Sequence, residues 1–258
     1  MEKLVLENQI VRIDAGELVG FEVNGHEYIH QKGSLGWSSA DTEMFPIIGP
    51  VAKANYLVHT PNGNGVLDQH GHMRLMDYEL LSSDSVHAIY KKSYTAGTPV
   101  KNRKFPEKSE VEYLTWPYSF TFEKHYHLTS QGLEISFKIT GDEDMPFMLG
   151  YHPAFKLHSD APIIVAGDRQ ITLDEVLAVG SRALQVADCT SITLKDEKDI
   201  TVSTEGFGHF MCWTEVRNMV CIEPISFYPY AVEEKNLHKG FKKLKGQPQF
   251  KVFLEPRT

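Results

Sequence analysis

The sequence predicts an all-β fold, a large antiparallel β-sandwich in which residues 1–258 form one domain. Three observations lead there. Apolar and polar residues alternate with period two through most of the chain, as strands buried on one face require. Turn-forming clusters recur at roughly 8–12-residue intervals, the spacing of sandwiches and barrels. No segment carries a helical apolar stripe longer than about two turns.

The elements follow in order. From residue 4, LVLENQIVRIDAGELVGFEVNGHEYIHQ gives short strands parted by DAGE and NGHE. Asn24–Gly25 is a hairpin signal, because both residues of a tight two-residue turn take positive φ. After the turn-like HTPNGNG comes VLDQHGHMRLMDYEL, residues 66–80. If this stretch is a strand, His70, His72 and Arg74 share one face. Farther on, Phe120, Phe122, Lys124, Tyr126 and Leu128 form one face of a strand, and Thr121, Glu123, His125 and His127 the other. SQG turns that strand into LEISFKITG. DITVSTEGFGHFMCWTEVRNMVCIEP supplies further short strands, and FKVFLEP the last.

Composition narrows the function. Hydrophobic residues make up 41% and charged residues 23% of the chain, enough for an ordinary globular core. The formal net charge of −8 argues against nucleic acid, which calls for clustered excess cation. Lys235, Lys239, Lys242, Lys243 and Lys245 read as a solvated surface. The three cysteines make no C-x-x-C pair and no disulfide framework; each reads as a small buried apolar residue. With no signal-like N-terminus and no apolar run of about 18 residues, a soluble cytoplasmic protein without membrane contact is expected.

Three places carry candidate chemistry. His70 and His72 could chelate a cation in a cupin-like site, with Asp77 or Glu79 and a distant His125 or His127 completing the set. Exposed strand polars are the bland alternative, and a substrate-binding role for His70 and Arg74 is the favoured reading. His152, in MLGYHPAF, follows an apolar strand and precedes a proline, which puts it at a strand end. Glu223, in VCIEPISFYP, ends an apolar run that should be buried. A carboxylate there has a raised pKa, as a general base needs, or is a paired structural group. Together His70, His152 and Glu223 could deliver and remove protons on opposite sides of a small ligand.

These motifs resemble those of the aldose 1-epimerase family, the galactose mutarotase-like proteins. GELVGFEVNGHEYIH, MFPIIGP, QHGHMR, GYHPAF and FMCWTEVRNMVCIEP occur in the family's order over most of the chain. The resemblance implies a galactose mutarotase-like supersandwich with a sugar groove across one sheet. It implies that Glu223 is the base at the anomeric hydroxyl, His152 the acid at the ring oxygen, and His70 and Arg74 sugar-binding residues. Such a reaction needs no metal and no cofactor. Its substrate would be a sugar, a hexose such as glucose or galactose, acted on by a monomer or homodimer. Phe155 and Trp213 would pack on the sugar or fill the core.

Some positions depart from the family pattern. Pro50 replaces an arginine, which weakens a sugar-phosphate reading; Lys53 and Lys91 are the candidate substitutes. His72 replaces a phenylalanine. A sugar-binding aspartate has no clear match, Asp174 being the poor candidate. Two alternatives stay open: a non-catalytic carbohydrate-binding protein on the same fold, and a cupin-like metalloenzyme using His70 and His72.

Overall fold

The computed structural model describes residues 1–257. Its elements are antiparallel strands joined by turns, and the one α-helix among the described residues is Leu173–Val179. That helix begins where Thr172 and Glu175 cap each other: Thr172 Oγ1 accepts from the Glu175 amide, and the Glu175 carboxylate from the Thr172 amide.

Nine strands make the main sheet, in the order Arg169–Thr172, Ile163–Ala166, Ser191–Lys195, Asp199–Glu205, Gln249–Arg257, Gly132–Gly141, Phe120–Thr129, His87–Tyr94 and Glu79–Ser83. The alternation expected for residues 120–129 is present: Phe120, Phe122, Tyr126 and Leu128 are buried, and their neighbours in sequence are not. Gln249–Arg257 sits in the middle of this sheet, paired with Asp199–Glu205 on one side and Gly132–Gly141 on the other.

The second sheet carries the site. Its order is Leu184–Val186, His209–Trp213, Met219–Ile225, Gly150–Tyr151 and Glu43–Met44, with Ala154–Lys156 also on Met219–Ile225. Aromatic rings join the two sheets. Phe137 of the large sheet lies 5.2 Å from Tyr151 of the small one, and Phe45 lies 4.9 Å from Phe120. Burying rings of this size supplies much of a sandwich's stability.

The N-terminal strands Glu2–Leu6, Gln9–Asp14, Glu17–Val23 and His26–Glu27 form a meander. Asn24 and Gly25 take φ of 53° and 79°, as a tight hairpin demands. The chain then runs beside residues 154–156, where the His30 amide donates to Ala154 and the Lys156 amide to Tyr28.

A buried ionic group lies between the sheets. Lys124 falls in the inward row of its strand and is fully buried. Its Nζ is 2.7 Å from Asp41 and 2.6 Å from Glu43, and the Tyr151 hydroxyl donates to Asp41 at 2.7 Å. Burial, opposed by Lys124, lifts the Asp41 carboxyl to about 6. Asp41 and Glu43 flank Thr42, whose carbonyl accepts from the His152 amide (2.8 Å) and whose amide donates to the His152 carbonyl (3.3 Å).

Candidate active site

Strand register brings His152 and Glu223 together. Gly150 pairs with Ile225 and Ala154 with Cys221, so the unbroken count between them sets His152 directly across from Glu223. Between these two pairs the regular ladder is interrupted. Pro153 and Pro224, each following one of the two site residues, have no amide to give to a ladder, and His152 bonds to Thr42 instead. His152 Nε2 lies 3.4 Å from Glu223 Oε1. Glu223 therefore sits inside Met219–Ile225, a strand buried at all seven positions, and not at the strand end that the sequence suggested. His152 falls in the gap between two short strands.

Burial governs the chemistry of the pair. It pushes the Glu223 carboxyl well above the usual carboxylate range. It lowers the His152 imidazole to about 3, with the charge of Arg74 adding to the effect. Both shifts favour the uncharged forms of the two groups.

Residues 66–80 do not form the strand expected of them. The ladder ends at Val66, Gln69 and His70 lie in a turn, and Met73–Leu75 is a short 3-10 helix. His70 and Gly71 both have positive φ, 70° and 71°. A Cβ on residue 71 would overlap the Phe45 carbonyl oxygen, so the turn requires glycine. The turn sends His70 and Arg74 into the cleft with His152 and Glu223. His72 points the other way. It is fully buried, 4.4 Å from the Tyr94 ring and 5.8 Å from that of Phe120. Neither of its ring nitrogens has a hydrogen-bond partner, and burial lowers its pKa to about 3.

His70 Nδ1 is 2.5 Å from the Ile48 carbonyl, which can only accept. Nδ1 therefore carries the hydrogen, and Nε2 keeps a lone pair. Burial, then Arg74 and His152, hold this imidazole well below its ordinary pKa.

The cleft encloses about 250 Å³. Besides the four residues read from the sequence, Trp37, Gln69, Lys104, Met211, Trp213, Glu215 and Tyr230 line it. Trp37 lies 4.4 Å over the His152 ring, and Trp213 meets that ring edge-on at 5.9 Å. Lys104 is fixed by Asp68 at 2.9 Å, and Asn102 also donates to that carboxylate. Trp37 and Lys104 come from loops without periodicity, and only proximity in the fold reveals them. Of the two aromatic candidates, Trp213 reaches the cleft, whereas Phe155 is buried in the core.

Other candidates lie elsewhere. Lys91 pairs with Glu79 at 3.0 Å on the large sheet, and Lys53 lines a separate surface hollow. Asp174 pairs with Arg217 at the exposed helix start. The cupin-like set does not assemble. Among the described residues, the groups of three donors close enough to share a metal are His26–His158–Glu197 and His152–Cys221–Glu223. Neither includes His70 or His72. Among the described residues, no helix is long and apolar enough to cross a membrane.

Comparisons with known proteins bear on the fold and the family. A galactose mutarotase-like protein from Lactobacillus casei ATCC 334 superposes with a TM-score of 0.80 at 18% identity, over 100% of both chains. A galactose mutarotase related enzyme from Lactobacillus acidophilus does so with a TM-score of 0.76 at 19% identity, over 98% of this chain and 97% of that one. A galactose mutarotase-like protein from Clostridium acetobutylicum gives 0.69 at 13% identity, over 99% and 94%. Identities this low establish the fold alone. No curated protein matches the sequence. The family model for aldose 1-epimerase matches residues 16–224, which include His70, Arg74, His152 and Glu223. The chain belongs to the aldose 1-epimerase family.

Proposed function

We propose that the protein is an aldose 1-epimerase, interconverting the α and β anomers of a free hexose such as glucose or galactose. The observation that carries this reading is the cross-strand pair His152–Glu223, 3.4 Å apart in a cleft lined by polar and aromatic groups. Anomer exchange needs one proton removed and one delivered, and a single acid–base pair does both. Glu223 takes the proton of the anomeric hydroxyl while His152 gives one to the ring oxygen. The bond between C1 and the ring oxygen breaks, C1 turns about its bond to C2, and the ring closes on the opposite face. The two groups then exchange roles, so the pair is regenerated without a metal or redox cofactor.

These roles need a proton on His152 once the sugar is bound. Sugar hydroxyls donating to the Glu223 carboxylate, together with the attraction between imidazolium and carboxylate, bias the pair that way. His70 offers its Nε2 lone pair to a sugar hydroxyl, and Arg74 donates to sugar oxygens. Trp37 and Trp213 offer apolar surface to sugar C–H groups. In this reading residues 1–258 act as one domain. The three free cysteines suit a reducing cytoplasm.

Polarimetry on freshly dissolved α-glucose and α-galactose tests the proposal. The enzyme speeds the approach to anomeric equilibrium. A protein that binds either sugar without changing that rate is a carbohydrate-binding module instead.

A further inference from the structure

The histidine pair that suggested a metal in the sequence does not gather one, but another set of donors converges. His152, Cys221 and Glu223 each present a ligand atom within 4.8 Å of the others, and all three are buried. The register explains this. Cys221 and Glu223 lie two apart on one strand face, and His152 stands across from Glu223. Glu223 Oε1 and His152 Nδ1 have no hydrogen-bond partner. Cys221 is a free thiol, fully buried in a small cluster with Ala154 and Met219, against Trp37 and Trp213. Sugar isomerisation gives this thiol no task.

We propose that His152, Cys221 and Glu223 bind a thiophilic divalent cation such as Zn2+, and that the cation silences the enzyme by occupying its acid–base pair. One imidazole nitrogen, one thiolate and one carboxylate make a donor set suited to zinc, with a fourth position left open toward the cleft. The charges balance: a dication with a thiolate and a carboxylate is neutral overall, which a desolvated floor accepts far better than an isolated charge. On binding, any protons on the thiol and the carboxyl group pass to solvent, and nothing is oxidised or reduced. The metal takes the lone pairs that the sugar's protons require, so metal and turnover exclude one another. The inhibition rests on the epimerase reading; the binding does not.

The test uses chelator-treated protein, titrated with Zn2+ by calorimetry and with Co2+ by absorbance. The expected result is stoichiometric binding, a thiolate-to-Co2+ charge-transfer band in the near ultraviolet, and loss of mutarotation that a chelator reverses. Cys221→Ser keeps mutarotation, loses the band and needs at least about tenfold more Zn2+ for half-inhibition. His26→Ala disables the surface group of His26, His158 and Glu197 and leaves the inhibition intact. Absence of the band, or inhibition of Cys221→Ser at the wild-type zinc concentration, overturns the site. A protein that binds zinc with the band but speeds no sugar's equilibration overturns the epimerase function and leaves the site standing.

Discussion

His152, in the gap between two short strands, faces Glu223 of Met219–Ile225 at 3.4 Å, and each is followed by a proline. The fold brings the proposed acid and base together although 70 residues of chain separate them in sequence. Strand geometry sets the direction of Glu223, and His152, in the gap between two short strands, is held by two backbone hydrogen bonds to Thr42.

Glu223→Gln keeps the shape of the side chain and removes its basicity. We expect kcat for mutarotation to fall by about 10²- to 10⁴-fold with KM little changed. Rates from polarimetry over a range of sugar concentrations check this. A kcat equal to the wild type sinks the assignment.

His70→Asn removes the Nε2 acceptor that the Ile48 hydrogen bond holds in place. On the proposed reading this hydrogen bond is present both before and during ring opening, so KM should rise and kcat fall together, each about two- to threefold, for a combined loss of about 1 kcal/mol. Unchanged sugar affinity, read by calorimetry, would place His70 outside the binding set.

His72→Phe should stabilise the protein, by on the order of 1 kcal/mol, because the imidazole is buried with both nitrogens unpartnered beside Tyr94 and Phe120. The effect depends on pH. An unfolded imidazole takes up a proton near 6.5, whereas burial keeps folded His72 neutral down to about 3. Between those values the unfolded chain binds more protons, so this group's contribution to stability falls as pH drops through that window. His152, also lowered to about 3, adds to the same slope. Urea midpoints at pH 7 and pH 4.5 should lie closer together in His72→Phe than in the wild type. An equal spacing contradicts the argument.

Lys124→Met leaves Asp41 and Glu43 buried without their cation. Breaking a buried ion pair from one side costs about 3–5 kcal/mol, which chemical denaturation can measure. A loss under about 1 kcal/mol would mean that the two carboxyls take up protons at no cost to the fold.

How much of this the sequence disclosed depends on how each residue is held. The inward row of Phe120–Thr129 was legible because strand period is a local property, and Lys124 stood in that row as an unread sign of a buried counter-charge. His152 and Glu223 were legible through their strand-and-proline context. The face shared by His70, His72 and Arg74 was misread, since two consecutive positive φ angles at His70 and Gly71 break the period. A glycine between two histidines hinted at this, but its close approach to the Phe45 carbonyl is a long-range fact. Trp37 and Lys104 reach the cleft from irregular loops, where no spacing rule applies.

The central place of Gln249–Arg257 bears on how the molecule is made. Until these residues dock, the strands on either side of them, Asp199–Glu205 and Gly132–Gly141, present open hydrogen-bonding edges toward an empty lane. Without this strand the large sheet stays in two halves, and its closure joins contacts far apart in sequence. Folding intermediates of this protein are therefore most exposed to mispairing along these two edges until Gln249–Arg257 docks.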